Sequence, residues 1–442
     1  MVIISLACHK KLLTSEDGFL PQPGGAWTRT RQSTGTLIVP AQHLNSDEQL
    51  KFYSGMSFFR LPWIVAPAST TARDGLGPLF NSNSCMSCHM NGGRGESLLD
   101  DPRSVATVVK LGVLDEQNRA HPHPILGNQL HPRATFQTFG EGSVLMSEEP
   151  IMSKFSDGGV IKLRKPKVDL KLTDKGIDRE EIRFSVRTAP HIIGMGLLEA
   201  INQEAILENS DELDKDADGI SGRPSWVLDD LGSRQLGRFG WKASHPSVAS
   251  QIAAAFRDDM GITNPYINTE SCTEFQSGCL RQASGEDPEE RVEITKLLFE
   301  YVLFSVQHIP PPIPGKLTSK VKIGRDLFNK VGCGSCHTPR FETKAGLIWP
   351  YSDMLLHDMG EGLADHLSEG VASGSEWRTP PLWGLGTMKK VSGHTTLLHD
   401  GRARNVLEAI LWHEGEAATA ARRFKSLDAG ERSSLIAFVN AL

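Results

Sequence analysis

Two copies of a Cys-x-x-Cys-His segment constrain this chain more than any other feature of its sequence. They occupy residues 85–89 and 333–337. In this pattern the two cysteines form thioether bonds to the edge of a porphyrin, and the adjacent histidine ligates the iron from one face. With 7 Cys and 15 His in 442 residues, about 0.004 such segments are expected by chance. The repetition therefore predicts two covalent c-type haems, with attachment cysteines and proximal histidines at Cys85, Cys88, His89, Cys333, Cys336 and His337.

The alternative to haem is a single zinc site. Two Cys-x-x-Cys pairs can supply four thiolates to one Zn²⁺. A zinc site does not require a histidine directly after the second cysteine of both pairs, whereas haem attachment does. The spacing therefore favours haem.

The two segments lie within an internal repeat. Leu-Phe-Asn stands at 79–81 and again at 327–329, so both copies read L-F-N-x-x-x-C-x-S-C-H, 248 residues apart. A helix that ends in a haem-attachment turn, used twice, predicts two cytochrome-c-like modules.

The predicted fold class is mainly α, with two cytochrome-c-like haem domains and with β-strands and loops inserted in the first. Alternating apolar and polar residues at 159–164 and 181–186 predict half-buried strands. Ser46 and Gln49 predict a capping box for a helix that runs to about Arg60. A terminal amphipathic helix within 426–442 is predicted from the apolar face of Leu435, Phe438, Val439 and Leu442.

The proline-rich residues 308–316 are predicted to be an interdomain linker, because proline removes amide donors and stiffens the chain. The predicted divisions are an N-terminal extension at 1–45, a first haem domain at 46–307, the linker at 308–316 and a second haem domain at 317–442.

The charge balance restricts the partners. Lys and Arg number 47 against 53 Asp and Glu, which gives a net charge of −6. This mild acidity argues against a nucleic-acid binder, which normally presents a basic patch to phosphates. No stretch approaches the ~18 apolar residues that span a bilayer, which excludes a polytopic membrane protein.

Three further cysteines bear on the cellular compartment. Cys272 and Cys279 have six residues between them and no histidine after either, which predicts a local disulfide, with two buried free thiols as the alternative. Haem attachment and a persistent disulfide both indicate an exported protein. The apolar start before Cys8 looks like the tail of a signal segment that ends at a lipobox. We therefore expect a periplasmic protein attached to the membrane through lipidated Cys8; the alternative is that Cys8 is a free surface thiol.

Seven segments resemble a known family. They are residues 67–95, 216–224, 236–242, 351–358, 377–386, 398–402 and 408–413. Through them the chain from about 46 to 442 is similar to the di-haem oxidoreductase family, sometimes labelled thiol oxidoreductases. That family is a distant relative of bacterial di-haem cytochrome c peroxidases and MauG-type enzymes. The resemblance implies that one haem, usually the C-terminal one, accepts electrons, while the other reacts with peroxide at an open coordination position.

The resemblance also implies a sixth ligand for the second haem. His413 is the first choice, because it lies just past the segment in which the peroxidases place that ligand. His399 and His394 are the rivals, and a histidine that only hydrogen-bonds a haem propionate is the further alternative.

For the first haem, no His or Met follows His89 at a clear ligand position, which fits an open iron. The residues that could fold back over it are His131, His191 and Met195. For His191, a hydrogen-bonded core histidine is the preferred interpretation.

A peroxidase pocket needs a polar group that moves the peroxide proton. Gln129 and Glu141 loosely resemble the distal Gln and Glu of the peroxidases and are the predicted catalytic residues; a solvated loop is the alternative. Trp377 and Trp383 are predicted either to carry electrons between the haems or to pack in the core.

An acidic segment predicts a calcium site. Asp214, Asp216 and Asp218 supply carboxylates at the first, third and fifth positions, and Gly219 stands at the sixth. Position twelve is Ser225 rather than Glu, so the loop is incomplete. The peroxidase relatives hold Ca²⁺ between their haem domains, and an acidic turn is the alternative.

These residues together predict a periplasmic di-haem oxidoreductase with peroxidase-like activity. The alternative is a di-haem electron-transfer cytochrome without a substrate of its own. The expected partners are a small redox protein or a quinol-linked electron donor, and peroxide or another substrate.

Overall fold

The computed structural model describes residues 22–29, 35–117, 119–136, 138–228 and 232–442. Cys8 and the predicted lipobox lie outside the described residues.

The described residues contain twelve α-helices. Before the proline-rich segment these are α1 (Ser46–Arg60), α2 (Cys85–Cys88), α3 (Met195–Glu199), α4 (Gln203–Leu207), α5 (Val248–Met260), α6 (Ser277–Leu280) and α7 (Lys296–Gln307). After it come α8 (Ser319–Val331), α9 (Met388–Ser392), α10 (Val406–Leu411), α11 (Ala418–Ser426) and α12 (Ala429–Val439).

The strands form small antiparallel sheets. They are β1 (Leu79–Phe80), β2 (Thr107–Leu114), β3 (Ala120–His121), β4 (Arg133–Ala134), β5 (Gly142–Lys154), β6 (Val160–Leu172), β7 (Ile182–Thr188), β8 (Trp226–Leu228), β9 (Arg234–Leu236), β10 (Phe341–Thr343), β11 (Gly346–Ile348), β12 (Leu356–Asp358) and β13 (Glu376–Arg378). β2 lies between β3 and β7, and the other strands pair as β1–β4, β5–β6, β8–β9, β10–β11 and β12–β13.

The predicted mainly α class is wrong. Helices make up 30% and strands 19% of the structure, and the described residues do not form a mainly helical cytochrome fold. Half of the helices have six residues or fewer, and most strands have two or three. Elements this short leave no periodic apolar pattern in a sequence. The two predicted strands are present as β6 and β7, whereas β2 and β5, which are both longer than β7, were not predicted.

Two long helix pairs form the helical part of the fold. α1 packs on α7, and α8 packs on α12. A glycine lies at each crossing: a Cβ atom on Gly55 would lie 2.0 Å from the carbonyl oxygen of Tyr301, and one on Gly324 would lie 1.9 Å from that of Ser434. Backbones approach this closely only where no side chain intervenes. In both halves of the chain, a glycine therefore allows two long helices to pack with their backbones in close contact.

Gly324→Ala is expected to lower the free energy of unfolding by roughly 1–3 kcal/mol, because the added methyl group overpacks the α8–α12 contact. The intrinsic preference of helices for alanine, about 0.5–1 kcal/mol, acts in the opposite direction and is smaller. Gly430→Ala in α12 is the matched control, because its Cβ would meet only the Asp428 carboxylate, at 3.2 Å. Urea denaturation followed by circular dichroism measures both variants. Equal stability of the two variants would contradict the close crossing.

The repeated tripeptide adopts two different conformations. Leu327 and Phe328 lie in α8, which leads into the second attachment segment as predicted. Leu79 and Phe80 instead form β1, which pairs with β4, so the prediction of a helix before the first segment is wrong. Leu79 and Leu327 are both buried. The shared tripeptide therefore predicts burial of these residues but not their secondary structure.

The ends of α1 and α12 test the helix predictions. Asn45 caps α1, and its capping box partner is Glu48, one residue before the predicted pair of Ser46 and Gln49. The predicted end at Arg60 is confirmed. The terminal helix is confirmed as α12, with its predicted apolar face buried at Leu435, Phe438, Val439 and Leu442.

Two large hydrophobic cores hold the long helices, and a smaller one lies against β2, β6 and β7. The larger joins α1, α5 and α7 to Trp383 and Leu355, from beyond the proline-rich segment. The second surrounds α8 and α12. The domain boundaries at 46–307, 308–316 and 317–442 stay a prediction.

The β5–β6 hairpin positions part of the site. Arg164 on β6 donates to the carbonyl oxygens of Arg402 at 3.0 Å and Gly401 at 2.9 Å, and pairs with Asp100 at 2.7 Å. These bonds hold the segment that carries His399.

Within the described residues, none of the helices combines the length and the apolar character needed to cross a membrane.

Candidate functional site

One cavity of about 750 Å³ contains both Cys-x-x-Cys-His segments. All six predicted attachment residues line it, although the two segments lie 248 residues apart in the chain. The fold therefore brings the two predicted haem sites to one interior space.

His89 and His337 share one arrangement. Nδ1 of His89 donates to the carbonyl oxygen of Pro190 at 2.7 Å, and Nδ1 of His337 donates to that of Tyr351 at 2.9 Å. Because a carbonyl only accepts, the proton lies on Nδ1 and Nε2 keeps its lone pair. Burial lowers the pKa of each imidazole to about 4, so both rings are neutral at pH 7. A neutral ring with a free Nε2 is the state that an iron ligand requires.

The cysteines fit haem attachment and not a shared zinc ion. Cys85, Cys88, Cys333 and Cys336 are not disulfide-bonded. Burial raises the pKa of Cys85, Cys88 and Cys333 to about 12 and that of Cys336 in the same direction. Within the described part of the chain, the four sulfurs do not converge on one metal position. Each segment thus offers two protonated thiols and one neutral imidazole to the cavity, which fits a covalent haem.

The match to known proteins agrees with this chemistry. A family model described as "Di-haem oxidoreductase, putative peroxidase" matches residues 22–113 and 125–442. The chain belongs to the di-haem oxidoreductase family. The resemblance stated from the sequence is thereby confirmed, and the di-haem family implies haem cofactors. Among curated proteins, none matches this chain.

His413 lies by the second attachment segment of this family member. It lines the cavity, and its Nδ1 donates to the carbonyl oxygen of Ala409 at 2.6 Å. This bond leaves Nε2 with its lone pair, as in His337. His337 lines the same cavity, and the charge of a protonated His413 would lower the pKa of His337. Burial lowers the pKa of His413 itself.

The two rival histidines have different surroundings. His399 lines the cavity and stacks on Trp377, with ring centroids 3.8 Å apart. His394 makes hydrogen bonds through both ring nitrogens, to the Arg94 carbonyl oxygen at 3.2 Å and to the Thr396 hydroxyl at 2.8 Å. Of the three histidines considered for the sixth ligand, His413 alone combines a carbonyl-bound Nδ1 with a place on the cavity wall.

Of the three residues predicted to fold over the first haem, two line the cavity and one does not. His131 is buried, with Nδ1 3.0 Å from Glu141 and Nε2 2.9 Å from the carbonyl oxygen of Asp258, so both nitrogens are engaged. His191 and Met195 line the cavity. His191 has an Nδ1 without a hydrogen-bond partner in the described residues, which does not fit the preferred interpretation of a hydrogen-bonded core histidine.

Gln129 and Glu141 have different positions. Gln129 is fully buried and lines the cavity. Its Nε2 lies 2.8 Å from both Asn81 Oδ1 and Asp259 Oδ1. Glu141 does not line the cavity; it accepts from the backbone N–H of His131 at 2.6 Å. Glu141 therefore orders the loop that carries Gln129.

Asp259 is a site residue that the sequence analysis missed. It lines the cavity beside Gln129. Burial raises its pKa above the usual range, and its charge would raise the pKa of Cys85 and Cys88. The signal available in the sequence was only its place at the end of an amphipathic helix, which does not reveal what that end faces.

His357 was missed as well. Its Nε2 lies 2.8 Å from Asp353, its Nδ1 lies 2.6 Å from Glu416, and Cys336 Sγ lies 3.6 Å from the same nitrogen. Although burial acts to lower the pKa of His357, the Asp353 carboxylate raises it well above the usual value. A cationic side chain therefore stands beside the second attachment segment.

The acidic segment is only partly assembled as predicted. Carboxylate oxygens of Asp211, Asp214 and Asp216 lie within 4.8 Å of one another. Asp218 is not part of this group; its Oδ1 accepts from the N–H of Ile220 at 2.8 Å. The calcium site stays a prediction.

The predicted disulfide is confirmed between Cys272 and Cys279. Its loop contacts the Gln129 region, because Thr273 donates to the Ile125 carbonyl oxygen at 2.8 Å and Gln276 donates to Glu141 at 2.5 Å.

The two tryptophans differ. Trp377 lines the cavity, whereas Trp383 is fully buried in the larger core.

Proposed function

We propose that this member of the di-haem oxidoreductase family is a periplasmic c-type cytochrome that reduces peroxide at the first haem with electrons that arrive through the second. Each H₂O₂ takes two electrons and two protons and leaves as two waters. The haem irons would supply electron transfer and the position where the O–O bond breaks. A small redox protein or a quinol-linked donor would supply the electrons.

The observation that carries this proposal is the difference between the two segments on one cavity. Beside His337, the neutral imidazole of His413 offers a second Nε2 lone pair. Near Cys85 and Cys88, the polar groups of the cavity wall include Gln129 and the partly buried carboxyl of Asp259. A ligand pair suits an electron relay, and polar groups that can hold or move a proton suit peroxide chemistry.

Within this proposal, Asp259 and Gln129 act together. The raised pKa of Asp259 keeps a proton on its carboxyl to higher pH than usual. Gln129 orients that carboxyl through the 2.8 Å contact. The periplasmic location is supported by the Cys272–Cys279 disulfide, since such bonds persist in oxidising compartments.

His191 favours a second candidate function, an electron carrier with both irons six-coordinate. Its Nδ1 has no hydrogen-bond partner among the described residues, and the side chain lies in the wall of the cavity. A ligand from this position would close the first iron to peroxide.

EPR of the as-isolated ferric protein, made in a host that matures c-type cytochromes, tests the proposal. We expect one high-spin and one low-spin signal, because only one iron has a sixth ligand. Two low-spin signals in the fully ferric protein would support the carrier, provided that the signal of the first haem stays low-spin after the second haem has been reduced. Protein without bound haem would refute both functions.

A further inference from the structure

Within the part of the chain that the structure describes, two arginines in the wall of the cavity bind uncharged groups only. Arg94 donates from Nε to the carbonyl oxygen of Thr396 at 3.1 Å and from Nη2 to that of Leu398 at 2.7 Å. Arg378 donates from Nε to the carbonyl oxygen of Gly240 and from Nη1 to its neighbour Thr379, each at 3.1 Å. Neither forms an ion pair with a carboxylate in the described part of the chain.

An unpaired cation in this position is costly. Buried charges are normally paired, because removal from water is expensive unless an opposite charge compensates. Burial lowers the pKa of Arg94 and of Arg378 to about 10. Arg187 in the same cavity wall has carboxylate partners, as buried arginines usually do: it pairs with Glu369 and lies 3.5 Å from Asp365. Arg94 and Arg378 therefore lack an anion that Arg187 has.

The side chains of Arg94 and Arg378 contact adjacent residues of one part of the wall, Trp241 and Gly240. Arg94 lies over the ring of Trp241, with Cζ 5.4 Å from the centroid, and the backbone N–H of Arg378 donates to the Trp241 carbonyl oxygen at 2.9 Å. His191 joins them: burial, followed by the charges of Arg94 and Arg378, lowers its pKa to about 3. His191 is 9% exposed, and its Nδ1 has no hydrogen-bond partner in the described residues. Two cations and one unpartnered imidazole thus face the same space.

We propose that Arg94 and Arg378, together with His191, form a carboxylate-binding site for the propionate groups of a haem held in this cavity. The inference rests on the covalent haems of the proposed function. The propionates are the anionic groups of a haem, and guanidinium groups form strong charge-assisted hydrogen bonds with carboxylates. A carboxylate at this place would neutralise the two guanidinium charges. It would also accept hydrogen bonds from guanidinium N–H groups that have few acceptors in the protein.

The site is placed between the two attachment segments. The residue after Arg94 packs on the first, since a Cβ atom on Gly95 would lie 3.1 Å from the carbonyl oxygen of Cys88. Arg378 lies toward the second, where the charge of Asp353 raises its pKa against the effect of burial, and Asp353 N–H donates to the Cys336 carbonyl oxygen at 3.0 Å.

The test compares Arg94→Gln and Arg378→Gln with Arg238→Gln. Arg238 is the matched control, because its guanidinium binds three backbone carbonyl oxygens, those of Leu198, Glu199 and Ile201, and does not line the cavity. Each protein is first checked for two haems per chain by its pyridine haemochrome spectrum and by mass. Wild-type protein without haem would refute the proposed function and would be recognised at this step.

The readouts are the propionate bending band in the resonance Raman spectrum and the midpoint potential of each haem. We expect Arg94→Gln and Arg378→Gln to shift the band and to lower the potential of at least one haem, because a carboxylate that is no longer neutralised favours ferric iron. Arg238→Gln should match the wild type. Arg94→Lys and Arg378→Lys keep the positive charge, so they should keep the midpoint potentials close to wild type while still shifting the propionate band. If the Gln variants do not fold, the Lys variants provide the test.

Two results would overturn the proposal. In the first, the band and potentials of the Gln and Lys variants equal those of the wild type. In the second, wild-type holoprotein binds added acetate or succinate with a saturable spectral change that Arg94→Gln abolishes, which would assign the site to a free carboxylate ligand.

Discussion

Replacing His413 by alanine is expected to convert the low-spin EPR signal of the second haem to high-spin. If His413 supplies the sixth ligand, its loss also shifts the midpoint potential of that haem by on the order of 0.1 V or more, within the roughly 0.8 V over which axial ligands set haem potentials. Electron delivery to the first haem would then slow, and peroxide turnover would fall with it. EPR, optical potentiometry and stopped-flow reduction by an artificial donor measure the three effects.

Two further histidine variants make this result decisive. His366→Ala is the control for loss of a histidine as such, because that side chain is 61% exposed and contacts Glu361. His399→Ala tests the rival ligand. If His399→Ala removes the low-spin signal and His413→Ala leaves it intact, the assignment of His413 is wrong.

Replacing Gln129 by leucine is expected to lower the kcat for peroxide by about 10²–10³-fold, the usual cost of removing one positioned polar group from a site where charge develops. Leucine is similar in size to glutamine but cannot form the hydrogen bonds to Asn81 and Asp259. The low-spin signal of the second haem should not change, because Gln129 lies by the first segment. Steady-state kinetics with H₂O₂ and a reduced donor separate kcat from KM.

Asn128→Leu is the matched control for this prediction. Asn128 is adjacent in the chain and half-buried, but it contacts Asp258 at 3.4 Å and does not line the cavity. Glu141→Gln should have a smaller effect than Gln129→Leu, since Glu141 acts through His131. Equal losses in Gln129→Leu and Asn128→Leu would mean that the loop, and not the Gln129 side chain, supports turnover.

Part of the candidate site could be predicted from short sequence motifs. Haem attachment needs two cysteines and a histidine at fixed spacing, so Cys85, Cys88 and His89 could be predicted from that spacing alone. The Cys272–Cys279 disulfide and α12 were equally local, since each depends on residues a few positions apart. β6 was predicted from the alternating pattern of its first residues, whereas the equally long β5 was not predicted.

Other features had no local signal. The mainly α class was wrong because short helices and strands held by tertiary contacts carry no periodicity. Glu141 stands twelve residues from Gln129, yet it lies outside the cavity, and Asp259 from α5 takes the place beside Gln129. Which side chain faces an interior space depends on how distant segments pack.

The sequence by itself predicted two thiol pairs and two proximal histidines for haem attachment, and it identified the disulfide and the family to which the chain belongs. Only the tertiary structure decided that both segments open into one cavity and that His413 lines it together with His337. It also decided that Arg94 and Arg378 face that cavity without a carboxylate partner among the described residues. The physical reason is that spacing along the chain dictates covalent and helical geometry, whereas burial and charge pairing arise from contacts between residues up to about 300 positions apart, such as Arg94 with Thr396 and Leu398.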